Sequence, residues 1–135
     1  MPVESPKILT EVQLKTLIAS QQGELDAVLM YNALAKTVKD PGDAETFRRL
    51  AAEEGGHAAV FKALTQQVLK PKKTKAILLP LIYRLLGKKR VYPIIAQGEY
   101  DAVKKYEPVA AQFPEVESVR NDEQRHGDTV LSLLE

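Results

Sequence analysis

The segment QGELDAVLMY at 22–31 returns seventy-five positions later as QGEYDAVKKY at 97–106, with seven of ten residues identical. At 135 residues the chain has room for one ordinary domain with a real core, so the repeat must be two related halves of a single fold. Each copy holds an acid, Glu24 or Glu99, and a tyrosine seven residues later, Tyr31 or Tyr106. Seven residues is about two helical turns, which places acid and phenol on one helix face within each copy.

The rest of the chain reads as helix. Apolar residues from Val12 through Val38 recur at three- and four-residue intervals, behind a capping-box pattern of Thr10 with Gln13, until Asp40-Pro41-Gly42 stops them. Asp43 or its neighbour is expected to cap a second helix that runs to about Leu69, before Lys70-Pro71. Residues 72–90, KKTKAILLPLIYRLLGKKR, form a basic and apolar connection in which Pro80 permits a short helix over about 80–87 and Gly87 ends it. Pro93 sets up a third long helix to about Gln112, Phe113-Pro114 turns the chain, and a fourth runs from about 115 nearly to the end. No alternating strand pattern competes. The short turns make two antiparallel hairpins, and the crossover over about 70–92 joins them. The expected fold is all-α, a four-helix bundle with one long crossover containing a short helix, and residues 1–135 are expected to form a single domain.

A second repeated element completes each hairpin. EEGGH at 53–57 falls on the second helix and DEQRH at 122–126 on the fourth, and the chain's two histidines, His57 and His126, both follow a glutamate by three residues. A lone Glu-x-x-His is ordinarily a solvated helix face. Two of them, each facing a repeated acid on a neighbouring long helix, point to a shared interior. At ~1.5 Å rise per residue, Glu24 and Glu54 fall at similar heights across the first turn, and Glu99 and Glu123 across the second. Four carboxylates and two imidazoles then meet inside the bundle. Burying four carboxylates unbalanced costs several kcal/mol per ion, whereas two divalent cations cancel their charge. Oxygen donors with one imidazole per metal suit iron or manganese, with zinc able to substitute. The absence of Cys removes thiolate metal sites, disulfides and redox dithiols.

The pattern Glu24, Glu54-x-x-His57, Glu99, Glu123-x-x-His126 resembles the di-iron carboxylate site of ferritin-like proteins, the arrangement known for such bundles. Within that superfamily the helix lengths and the tyrosine seven residues after the first glutamate resemble rubrerythrin, especially the rubrerythrin-like domain fused to vacuolar-iron-transporter-type membrane domains. The resemblance implies two iron ions per chain on those six residues, and an oxidoreductase that reacts with hydrogen peroxide or O2. Two departures stand out. A rubrerythrin commonly carries a Cys-ligated rubredoxin domain, which this sequence has no Cys to build, and often a further glutamate three residues after the third-helix ligand, where Ala102 stands. The electron source is then external, either a reductase or Fe2+ itself. A membrane-associated di-iron hydroxylase, or a protein that binds and delivers iron without turnover, are the alternatives.

Neighbours of the six residues can be assigned as well. A metal-bound histidine normally gives its other ring N–H to a carboxylate or carbonyl, and Asp122 and Glu53 are placed to receive it. DEQRH resembles the Asp-Glu-x-Arg-His string of di-iron oxygenases, which implies that Asp122 and Arg125 join a network beneath the metals. Tyr31 and Tyr106 are expected to bond the site carboxylates, plain core packing being the alternative. Gly23, Gly55, Gly56, Gly98 and Gly127 adjoin these motifs, and each costs up to ~1 kcal/mol in a helix interior. Close helix approach or a route for a small oxidant would account for them.

The net charge of +1 hides an imbalance, because no acid lies between Glu54 and Glu99 while Lys70, Lys72, Lys73, Lys75, Arg84, Lys88, Lys89 and Arg90 crowd that interval. The apolar residues among them are expected to pack on the bundle or pair with a second copy in a homodimer, with an anionic membrane surface as the alternative partner for 70–90. The opening MPVESP lacks a signal-peptide pattern, and no apolar run approaches the ~20 residues of a membrane span. A cytoplasmic protein is expected. There is no nucleotide loop, and the basic run lacks interleaved aromatics, so nucleic acid is not an expected partner.

Overall fold

The computed structural model describes residues 9–135; the opening residues 1–6, read above for a signal pattern, lie outside them. Five helices follow one another: α1 (Glu11–Thr37), α2 (Pro41–Thr65), α3 (Thr74–Leu86), α4 (Lys88–Ala110) and α5 (Pro114–Ser132). Helices α1, α2, α4 and α5 make the four-helix bundle, and α3 is the crossover helix.

Local chemistry sets the ends. The Thr10 hydroxyl accepts from the Gln13 N–H and the Gln13 side chain accepts from the Thr10 N–H, both at 3.0 Å, so the expected capping box forms. The second helix starts earlier than the sequence suggested. Asp40 caps it by accepting from the Asp43 N–H at 3.0 Å, and Pro41 occupies the first turn, where its missing N–H is harmless. Asp43 instead turns inward and accepts from the Tyr92 hydroxyl at 2.7 Å, tying α2 to α4. Helix α2 also stops short of Leu69. Gln66 takes a left-handed conformation (φ 56°), and Gln21 of α1 holds the unwound end by accepting from the Thr65 hydroxyl at 2.5 Å and donating to the Gln67 carbonyl at 2.8 Å. In the crossover, helix begins at Thr74 rather than near Pro80, which sits inside α3 and is buried against the bundle. Gly87 (φ 78°) turns the chain directly from α3 into α4, in a backbone region that favours glycine.

The bundle's direction follows from its two apolar clusters. One joins Leu34 of α1, Phe47 of α2, Val91 and Tyr92 of α4, and Val130 of α5; the other joins Leu17, Phe61, Val109 and Val116 from the opposite ends of the same helices. Thus α1 and α5 run one way and α2 and α4 the other, and the crossover climbs the length of the bundle along α1. Phe47 and Phe61 are fully buried anchors of the two clusters, and truncating either to Ala costs about 3–5 kcal/mol. Within each hairpin the helices pack closely; between hairpins the contacts are much sparser. That gap, between the two apolar ends, holds the polar site. No helix among the described residues is long and apolar enough to cross a membrane.

Candidate metal centre

Each of the four bundle helices sends one glutamate into the gap. Glu24 (α1), Glu54 (α2), Glu99 (α4) and Glu123 (α5) are all no more than 5% exposed, as are His57 and His126. Glu54, His57, Glu123 and His126 offer ligand atoms that lie within 4.8 Å of one another. The remaining two acids flank this group on opposite sides: a Glu24 oxygen is 3.6 Å from His57 Nδ1, and a Glu99 oxygen 3.8 Å from His126 Nδ1. Around the middle, Glu54 Oε1 is 2.9 Å from His57 Nδ1 and 3.1 Å from His126 Nδ1. Glu123 Oε1 lies 2.9 and 3.3 Å from the same two nitrogens. All six residues proposed from the sequence therefore converge in one place.

The surrounding bonds run between the halves. The Tyr31 hydroxyl, in the first repeat, donates to Glu99 of the second at 2.5 Å, and the Tyr106 hydroxyl donates to Glu24 at 2.5 Å. His57 Nε2 is 2.8 Å from Asp122 Oδ2, and His126 Nε2 is 3.3 Å from Glu53 Oε1. Arg125 donates to Glu53 at 2.5 Å and to Asp122 at 3.3 Å, joining the two carboxylates that hold the histidines. Because a carboxylate accepts at Nε2, the proton of a neutral ring belongs there, and Nδ1 faces the centre. The repeat itself could not reveal that each partner lies in the opposite half; only the packing of one hairpin on the other makes the exchange.

Four atoms at this centre are buried without hydrogen-bond geometry to anything: Glu24 Oε2, Glu99 Oε2, Glu123 Oε1 and His126 Nδ1. An unsatisfied buried acceptor is costly, and four of them gathered around the two histidines fit bound cations. Electrostatics point the same way. Burial, reinforced by the charge of Glu54, pushes the Glu24 carboxyl well above its ordinary range. Burial pushes Glu99 up to about 7. For His57 burial alone would lower the pKa, but the neighbouring Glu123, Glu24 and Glu54 carboxylates raise it far above normal. The same opposition, won by Glu123, Glu54 and Glu99, lifts His126 to about 12. Without metal, protons on the imidazoles and carboxyls offset the crowded negative charge. Burial and nearby carboxylates push the Tyr31 and Tyr106 phenols up, so both remain donors.

On the α1/α4 side the centre opens into a cavity of about 710 Å³, whose lining includes Glu24, Glu54, Glu99 and Glu123. Gly23, Glu24, Ala27 and Tyr31 line it from α1, and their repeat counterparts Gly98, Glu99, Ala102 and Tyr106 from α4. The segment is written twice because its two copies face each other across this opening. A side chain at Gly23 or Gly98 would meet nothing within 4 Å, so helix contact is not what these glycines serve; at Gly127 a Cβ would lie 2.5 Å from the Tyr100 ring, which is a close approach. Lys75, read above only as part of the basic run, and Lys105, not named there, also line the opening.

The family model described as Rubrerythrin matches residues 15–134. No curated protein and no solved structure gives a significant match to the chain.

Proposed function

The chain belongs to the rubrerythrin family, and from that premise we propose that it is a di-iron oxidoreductase, acting as one domain over its whole length, whose oxidant is hydrogen peroxide. The observation that supports this reading is the set of four buried atoms without a hydrogen-bond partner, Glu24 Oε2, Glu99 Oε2, Glu123 Oε1 and His126 Nδ1, clustered between the hairpins. Glu24 with His57, and Glu99 with His126, would each serve one ion, and Glu54 and Glu123, close to both ring nitrogens, would serve the pair. Six donors of carboxylate and imidazole type suit iron or manganese. Two ferrous ions supply two electrons, the number that converts one peroxide and two protons to two waters.

The protein's own part is to position and to admit. Asp122 and Glu53 orient the rings, Tyr31 and Tyr106 fix one oxygen of each flanking carboxylate, and the α1/α4 opening gives a small oxidant a path to the centre. No Cys is present to return electrons, so a separate reductase or Fe2+ closes the cycle. Stopped-flow absorbance of the anaerobic diferrous protein is the test. Oxidation by hydrogen peroxide should be faster than by O2. A rate with O2 equal or greater replaces this reading with an oxygenase or ferroxidase, and no reaction with either leaves iron binding or delivery.

The outer side of α3 bears on assembly. Ile77, Leu81 and Leu85 are 67%, 48% and 73% exposed and recur every four residues, a stripe directed away from the bundle. We propose that it pairs with a second copy of the chain, since an apolar row of this kind is ordinarily covered. Sedimentation velocity should give a dimer that Leu81→Ser with Leu85→Ser dissociates; a monomer that floats with anionic vesicles assigns the stripe to a membrane surface instead.

A further inference from the structure

The α1/α4 cavity is far larger than a small oxidant requires. Its volume of about 710 Å³ falls among pockets that enclose whole organic ligands, roughly 300–1,000 Å³, whereas a water-sized molecule takes up ~30 Å³. Part of its wall is apolar, with Ala27 and Met30 on α1, Leu79 on α3, and Ile95 and Ala102 on α4, while Glu24, Glu54, Glu99 and Glu123 line it from the metal centre. At the rim the chemistry changes. Lys75 of α3 and Lys105 of α4 both line the opening and are exposed to solvent. Burial, and after it the charge of Lys75, lowers the Lys105 pKa, with the charge of Glu24 opposing; neither lysine makes an ion pair or side-chain hydrogen bond among the described residues. Asp101, the acid at the rim, is engaged by the Gln97 amide at 2.9 Å.

Two lysines on a cavity that also has an apolar stretch of wall suit an anionic head on an apolar body. We propose that the cavity binds a monocarboxylate with a medium-length hydrocarbon chain, its head between Lys75 and Lys105 and its chain along Met30, Leu79 and Ile95. The shape of the opening supports the fit. Gly23 and Gly98 leave open space where any larger residue would intrude, and Ala27 and Ala102 keep the next turn open on both walls. The residues named for recognition are not those of the metal centre, although Glu24, Glu54, Glu99 and Glu123 line the same cavity, so binding is measured with and without metal and the proposal fails or survives separately from the redox reading.

Isothermal titration of the full chain, metal-loaded and metal-stripped, with decanoate, decanol and decyltrimethylammonium tests it. Decanoate should saturate at one per chain in both forms and bind at least tenfold tighter than the ammonium compound. Lys75→Glu with Lys105→Glu should weaken decanoate at least tenfold and leave decanol within twofold. Ala27→Leu with Ala102→Leu, which fills the cavity, should abolish binding of both; should that variant fail to fold by circular dichroism, Ala102→Met alone narrows the same wall and should weaken both. Leu81→Ser with Leu85→Ser, on the outer stripe of α3, should leave decanoate unchanged. The proposal is overturned if the ammonium compound binds as well as decanoate, if a folded cavity-filling variant keeps its affinity, or if the outer-stripe variant loses it.

Discussion

The two open edges between the hairpins are built differently. Between α2 and α5 the centre is closed by charge: Asp122 and Glu53 hold the histidines, and Arg125 links the two acids. Between α1 and α4 the same centre is backed by small and apolar residues and opens to solvent through a cavity. Both edges come from duplicated sequence, so the repeat relates hairpin to hairpin but not edge to edge. The helices that carry Glu-x-x-His have a second polar residue one position away to orient the ring. The helices that carry Gly-Glu have a glycine, with no side chain, at the position just before the acid. A charged network and a cavity thus lie on opposite sides of one cluster of buried acids and imidazoles.

The largest expected effect lies on the closed edge. Asp122→Ala, and separately Glu53→Ala, should lower metal affinity roughly 10–100-fold, the usual result of releasing a ligand histidine, whereas Asp101→Ala on the open edge should change it less than twofold; equal losses on both edges would erase the distinction. Next come the phenols. Tyr31→Phe and Tyr106→Phe each leave a buried carboxylate oxygen without its donor, which should cost about 1–3 kcal/mol in denaturant unfolding. Similar values for the two would support equivalent halves, and a value near zero for one would break the equivalence.

The pH response tests the proton balance of the closed centre. Glu99 binds a proton up to about 7 and His126 up to about 12 in the folded chain, both above their unfolded values, and the raised His57 acts in the same direction. The folded state therefore holds more protons than the unfolded state across this window, so stability of the metal-free protein falls as pH rises. Its thermal midpoint should drop between about pH 5 and pH 8. Metal requires deprotonated ligands, so the loaded protein should show the opposite slope, with protons released on loading. The smallest effect belongs to the open edge: Gly23→Ala and Gly98→Ala should each raise stability by up to ~1 kcal/mol and retain metal, while slowing oxidation. At Gly127→Ala the Tyr100 ring stands in the way, and that gain should vanish.

Much of this was legible before folding was considered. Four long helices, two hairpins, the crossover and the six inward residues follow from periodicity and from the pairing of each histidine with a glutamate three residues earlier. What stayed hidden depends on one hairpin meeting the other. Tyr31 and Glu24 share a helix face, yet Tyr31 bonds Glu99, because the partner of a residue in a symmetric pair sits in the opposite half. The helix ends moved for similar reasons: Gln21, distant in sequence, unwinds the last turn expected of α2, and Pro80 is tolerated inside α3 because the helix is already committed to packing against α1. The cavity has no signature in any one segment, since its lining comes from all five helices.

The central claim is that the six buried residues form one centre for two metals. Elemental analysis of the iron-loaded, desalted protein tests it most directly, with Glu54→Ala/Glu123→Ala as the comparison. The account predicts about two iron ions per chain in the parent and loss of both in the variant, whose circular dichroism remains helical; a folded parent that holds no transition metal after loading, or a variant that keeps both ions, would contradict it.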